Sequence, residues 1–401
     1  MKRILAIFAL VGALHAQDSL FSQIEGISHD LEGITGLKFK RPVPSAVLDK
    51  DQLRKFLDQR IDKVMKPADL KAESLILRML GLIPENFDLR QQTVDLLTEQ
   101  AAAFYDYQRK KLFVLKGDTG EAALMALAHE LAHALADQNF HLEKYIQQNN
   151  QSDDAATARM AVMEGQASWL MAAWLHQRSG LGADVPAPIL EMMSNSLEPD
   201  AAQYPVYAQS PLYIRESLVF PYKGGMLFQD AVFRKLGKEA FAEVFRSAPV
   251  STQQIIHPDR YLDRTGPKLP ALPSLPDKKS FRKLAEGTLG EMDYRVLLTQ
   301  YGDKDLAASL AGSLSGSQFT LLEHKREGFP LLVWASNWSS PEEARRFFDF
   351  YRQTLKAKSK QPEPGRETAT TLEGRNEKGY YRVLLRDATV ESIEGMKIPL
   401  N

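Results

Sequence analysis

The apolar positions of this chain follow a helical rhythm over much of its length. Leu53, Phe56, Leu57, Ile61 and Val64 share one face of a helix predicted over 51–65. A second helix starts at Pro67, a residue suited to a first turn, and runs to about Leu80 before Gly81. A third covers 89–100. Residues 18–36 are mixed, irregular or a short helix, and 37–47, with Pro42 and Pro44, read as an extended edge segment. The rhythm then changes. Residues 103–107 and 112–116 flank the polar 108–111 and predict a β-hairpin rich in aromatics. Gly117-Asp118-Thr119 ends it and opens a helix to about Asn139, with Asp118 or Thr119 as cap and Glu121 in the first turn. A long helix over 154–178 follows the polar 147–153, and helical patterns return at 225–236 and 238–246.

Pro267, Pro270, Pro273 and Pro276 punctuate 265–278, which reads as a linker. Beyond it, 319–324 and 331–336 predict paired strands, Ser340 and Pro341 open an amphipathic helix to about Lys356, and 380–385 predicts another strand. The polar stretch 357–378 reads as a mobile loop. The fold class is therefore α+β. A mainly helical domain over 17–264, with a small β-hairpin or sheet, is followed by a linker over 265–280 and a small α+β domain over 281–401.

Residues 1–16 read as a secretory signal: Lys2 and Arg3 precede the apolar 4–14, and Ala16 precedes a polar Gln17. Eleven apolar residues fall short of the roughly 20 that span a bilayer. The expectation is an exported chain whose mature part has no stable membrane insertion. Lys+Arg total 50 against 51 Asp+Glu, so nothing in the charge favours nucleic acid. Cysteine is absent, which excludes disulfides, thiolate metal sites and a Cys nucleophile. Any metal must be held by histidine and carboxylates.

Those residue types converge at His129-Glu130-Leu131-Ala132-His133. Residues four apart on a helix lie on one face a turn apart, so both imidazoles can reach one metal ion. Glu130 projects beside that pair, where it can act as general base toward a water that the metal acidifies. Leu124, Leu127, Leu131 and Leu135 give the helix an apolar stripe, and Ala126, Ala128 and Ala132 permit close packing. The bland alternative is a surface helix with two solvated histidines. Buried histidines would instead need partners, and a metal is one.

A third protein ligand would leave one position open for water. Glu164, Asp137 and His141 are the candidates, with Asp137 better suited to a supporting contact and His141 near the helix end. Around Glu164, Met163-Glu164-Gly165-Gln166-Ala167-Ser168 resembles the gluzincin metallopeptidases, whose second helix presents a glutamate ligand in a Glu-Gly-x-Ala-Ser/Thr pattern. The resemblance implies a zincin-like fold, zinc as cofactor, Glu164 as third ligand, close helix contact at Ala167, and a peptide or protein substrate. The 30 residues between His133 and Glu164 exceed the interval in the best-known gluzincins. The pattern also fails the metzincin requirement for Gly and His at the positions of Ala136 and Asn139. Over about 37–262 the chain resembles a set of exported bacterial proteins with this motif. The shared features include Phe104-Tyr105-Asp106, Phe220-Pro221-Tyr222-Lys223-Gly224-Gly225 and the stretch 251–258.

A metallopeptidase needs a donor for the oxyanion. Tyr222 and His257 lie in Pro/Gly-punctuated segments that can aim a side chain into a cleft, although each residue type there is more often a packed aromatic or a loop histidine. The hairpin at 104–115 offers an edge for an extended peptide, or a purely structural element. His29, His176 and His324 show no ligand spacing. Zinc peptidase is thus the favoured reading. A metal-stabilised binding or envelope-assembly protein, and a hydrolase of amide or sugar-linked substrates, stand as alternatives.

Overall fold

The computed structural model describes residues 20–64, 66–100, 102–117, 120–147, 152–275 and 277–399. The expected signal over 1–16, the Asp118 and Thr119 caps and Pro276 lie outside the described residues. The molecule is α+β.

The N-terminal half opens with α1 (Ile24–Thr35), β1 (Ser45–Leu48), α2 (Lys50–Val64), α3 (Pro67–Leu80) and α4 (Leu89–Gln100). Gly81 ends α3 at φ 77°, a left-handed turn that only glycine adopts without strain, and returns its N–H to Arg78 and Leu77. Next come β2 (Ala103–Asp106) and β3 (Lys111–Leu115), which form the expected hairpin. β1 adds in parallel on the far side of β3, giving a three-stranded sheet of order β1-β3-β2. Phe56, Phe104 and Phe113 stack between this sheet and α2. The motif helix α5 (Gly120–Phe140) lies against β2, and α6 (Asp153–Arg178) packs beside it. Ser152 caps α6 by accepting from Ala155 N–H at 3.2 Å.

The next long helix departs from expectation. Rather than beginning at 225, α7 runs over Leu212–Leu236 with Pro221 inside it. Proline forfeits one i→i−4 bond there, and packing against α6 carries the helix through the break. α6 and α7 touch backbone to backbone: a Cβ on Gly165 would meet the Gly225 carbonyl carbon at 2.0 Å, and one on Gly225 would meet Ala161 O at 1.9 Å.

The C-terminal part is a seven-stranded antiparallel sheet of order β4-β5-β6-β10-β9-β8-β7. Its strands are β4 (Phe281–Thr288), β5 (Leu314–His324), β6 (Pro330–Trp338), β7 (Glu363–Glu367), β8 (Thr371–Asn376), β9 (Gly379–Arg386) and β10 (Thr389–Met396). The expected strands at 319–324, 331–336 and 380–385 fall within β5, β6 and β9, the first of them being the second half of β5. The expected mobile loop over 357–378 instead contains β7 and β8. Every side chain of β7 is exposed, so this edge strand is held by main-chain bonds and carries no apolar alternation to read. Helices α8 (Glu291–Tyr301) and α9 (Pro341–Ala357) complete the unit, with Ser340 capping α9.

Alternation decides what each face of the sheet covers. Leu332 and Trp334 face inward, toward α9 and a core continuous with that of the N-terminal half. Leu331 and Val333 face outward, with Leu322 and Ile393, under Leu272 and Leu275 of the proline-rich stretch. That stretch lies along the sheet as a strap. Lys268 N–H donates to Ser315 O at 2.7 Å, Asn337 donates to Lys268 O at 3.1 Å, and Gln318 donates to Pro270 O.

Candidate metal centre

Helix α5 is buried on all sides from Ala126 to Gln138, because it is enclosed by β2, α1 and α6. The single apolar stripe expected from its leucines understates this. His129 is 1% exposed and His133 7%, so the solvated-surface alternative for these histidines is excluded.

The two imidazoles converge as the one-turn spacing requires. Their Nε2 atoms lie 3.0 Å apart, and each is 3.2 Å from the same oxygen, Oε2 of Glu164. Glu164 is wholly buried, and its Oε1 has no hydrogen-bond partner. Glu130 stands next to the pair: His129, Glu130 and His133 bring potential ligand atoms within 4.8 Å of one another. Glu130 Oε2 accepts the backbone N–H of Tyr105 at 2.7 Å, while its Oε1 is buried without a partner. This buried group can hold a metal ion. Three ligands of a tetrahedral ion with bonds of about 2.0–2.1 Å must stand about 3.3 Å apart. The observed triangle has edges of 3.0, 3.2 and 3.2 Å. Two nitrogens and a carboxylate oxygen at that spacing fit a divalent cation by chemistry and by size. Two orphaned carboxylate oxygens beside it mark unmet electrostatic demand.

Burial and mutual charge drive the carboxyls apart. Burial raises Glu130 to about 8, with the Glu164 charge adding to it, against His133 and the Tyr105 N–H. Glu164 would also be raised by burial, but the charge of His133 and hydrogen bonds from both histidines hold it down at about 2. Burial pushes His129 down. For His133 the same burial is outweighed by Glu164, and its pKa is raised.

The remaining candidates separate by position. Tyr222, one turn before Gly225 on α7, lays its ring over His129 with centroids 5.9 Å apart and planes at 27°. The Gly165–Gly225 contact holds the two helices together beside it, and Ala167 is buried on the same helix as Gly165. His257 is placed on a different partner: its Nε2 lies 3.0 Å from both oxygens of Glu291. Thr252, in the same segment, bonds Asp154, ten residues and about 15 Å along α6 from Glu164. Asp137 is no ligand of the cluster. It accepts from Tyr105 O–H at 2.9 Å, Lys110 Nζ at 2.8 Å and Leu142 N–H at 3.0 Å. His141 is exposed. The edge strand β2 is buried along its length and faces α5, so it supports Glu130 and presents no open edge to a peptide.

Three participants escaped sequence reasoning. Tyr105 acts through its backbone, which no side-chain pattern reveals. Gly165 and Gly225 are visible only as the two glycines of separate motifs.

Residues 279–398 match the family described as Domain of unknown function (DUF8575). No curated protein and no solved structure matches the chain. Among the described residues, no helix is long and apolar enough to cross a membrane.

Proposed function

We propose that this chain is an exported zinc-dependent metallohydrolase that cleaves peptide bonds. One observation carries the reading: His129, His133 and Glu164 form a buried triangle of ligand atoms, with a second carboxylate, Glu130, beside it. Zinc bound there would supply Lewis-acid chemistry, acidifying water and polarising a carbonyl. A purely structural site has no use for Glu130. The charge of a cation bound beside it would oppose the burial that raises Glu130 and favour its carboxylate, which is steadied at Oε2 by Tyr105 and keeps Oε1 available to take a proton from water and pass it to a leaving amine. Tyr222 is the residue nearest in kind to an oxyanion donor, since its ring is fixed over His129. His257, bound to Glu291, is better read as a structural link. Export is proposed from the basic, apolar and small-residue order of 1–16.

A second reading has a specific observation behind it. Glu130 and Glu164 are 1% and 0% exposed, so a polypeptide reaches them only if the surrounding elements part. A catalytically silent, metal-stabilised binding or envelope-assembly protein would have no such requirement.

The deciding experiment measures zinc content and hydrolysis of a mixed peptide library by wild type and Glu130→Gln. Zinc in both with cleavage only by wild type supports the peptidase. Zinc in both with cleavage by neither supports the silent protein. No retained metal in wild type overturns both.

A further inference from the structure

Two helices converge on the candidate metal centre, and the C-terminal unit grips the first turn of each. At the start of α6, Asp154 N–H donates to Thr288 Oγ1 at 3.2 Å, where β4 ends. Asp154 Oδ1 accepts from Thr252 Oγ1 at 2.6 Å and Thr252 N–H at 3.0 Å, and the same Thr252 Oγ1 accepts from Met292 N–H at 3.2 Å, in α8. At the start of α7, Tyr213 O–H donates to Asp293 Oδ1 at 2.9 Å, also in α8. The fit around Asp154 leaves no slack: a Cβ on Gly290 would meet Asp154 Oδ1 at 1.7 Å and Thr252 Oγ1 at 2.4 Å. Asp154, Asp293 and Thr252 are all buried, so these bonds are shielded from water.

From those grips both helices run inward, α7 passing Pro221 just before Tyr222. Glu164 lies ten residues past Asp154, and Tyr222 nine residues past Tyr213, about 15 and 13 Å along their axes. One residue past Glu164 and three past Tyr222, the two helices are held backbone to backbone by the Gly165–Gly225 contact. A shift at either first turn is therefore delivered to Glu164 and to the ring over His129.

We infer that the C-terminal unit, residues 281–399, is a positioning element of the metal centre, which sets the placement of Glu164 through the Thr288–Asp154–Thr252 and Asp293–Tyr213 bonds. This rests on the metal-centre reading. Outer partners of metal ligands change affinity by roughly 10–100-fold when lost, and the same scale applies to a device that places a ligand.

The test is zinc affinity of the full-length protein by chelator competition, with no activity assay required. Gly290→Ala is the first variant, since Gly290 at φ −91° accepts a side chain by backbone and meets Asp154 only through its Cβ. Thr288→Val and Tyr213→Phe are milder companions, each removing one bond. Lys378→Met is the control: it removes contacts to Glu85 and Arg78 O on another part of the same interface. Expected is a loss of about tenfold in zinc affinity for at least two of the three test variants, with circular dichroism as in wild type, and no change for the control. Folded variants that bind zinc as wild type does would overturn the inference, as would an equal loss in the control. Wild type that binds no zinc would instead remove the metal-centre reading itself, a separate outcome.

Discussion

The backbone N–H of Tyr105 holds one oxygen of Glu130 at 2.7 Å and leaves the other buried with no hydrogen-bond partner. The same residue reaches Asp137 through its hydroxyl at 2.9 Å, so hairpin and motif helix are tied at two points one side chain apart. Tyr105→Phe keeps the amide and loses only the second tie. It should lower unfolding stability by about 1–2 kcal/mol, since a buried carboxylate loses one of its donors, and leave zinc content unchanged. Urea unfolding with metal analysis checks both halves. Loss of metal would mean that the hydroxyl, not the amide, maintains the site.

Glu164 and Glu130 are both buried carboxylates, yet only Glu164 shares an oxygen with both histidines. Glu164→Ala should lose zinc by more than the roughly 10–100-fold typical of outer-partner changes, while Glu130→Gln retains it. Metal content after dialysis against a weak chelator reads this directly. The reverse pattern would exchange the roles of the two.

Gly165→Ala places a methyl against the main chain of α7, at 2.0 Å from a carbonyl carbon, where no rotamer change can relieve it. Destabilisation of about 3 kcal/mol or more is expected, the upper end of overpacking. Chemical denaturation midpoints test it. A shift under about 0.5 kcal/mol would show that the helices can separate freely.

Tyr222→Phe preserves the ring over His129 and deletes the hydroxyl. If that hydroxyl serves the oxyanion, kcat falls by about 10²–10³-fold with KM little changed. An unaltered kcat would leave Tyr222 as a packing partner of the ligand.

Glu394 should be one source of acid sensitivity. Burial alone would raise its carboxyl, but Lys358 at 2.7 Å, with Tyr351 and Trp334 donating, holds it below the ordinary 4.5. A native pKa below the unfolded one gives stability that is fully present above about pH 4.5 and lost as pH falls through the native value. Lys358→Met removes the cation that opposes burial, so acid unfolding should begin at higher pH than in wild type. Thermal midpoints from pH 7 to 3 measure this. Coincident acid limbs would exclude the pair. Lys358 also donates to Met79 O at 2.9 Å, so the same variant loosens the contact between sheet and α3.

Much of this was legible from residue patterns. Ala/Leu-rich periodicity located α5, and the four-residue step between His129 and His133 required them to meet on one face. Pro67 and Gly81 bracketed α3, and Ser340-Pro341 opened α9. What failed to show has physical causes. Pro221 reads locally as a break, but a helix packed against another tolerates one missing bond. β7 is a solvent-facing edge strand whose side chains have no reason to alternate, and β8 beside it is short and buries only Leu372 and Gly374. β4 and α8 lie just past the proline-rich stretch, over 281–301, where the residue pattern predicts no element. The Gly165–Gly225 contact joins residues sixty positions apart, and each glycine on its own gives no sign of the other.

The strap at 265–275 has a consequence for how the molecule would come apart. Leu269 is 47% exposed, so a protease can reach this stretch. Yet Lys268 and Pro270 are bonded to the sheet, and the halves on either side share one continuous interior. A chain nicked there would run as two fragments once boiled in detergent, but would still travel as a single body through a gel-filtration column.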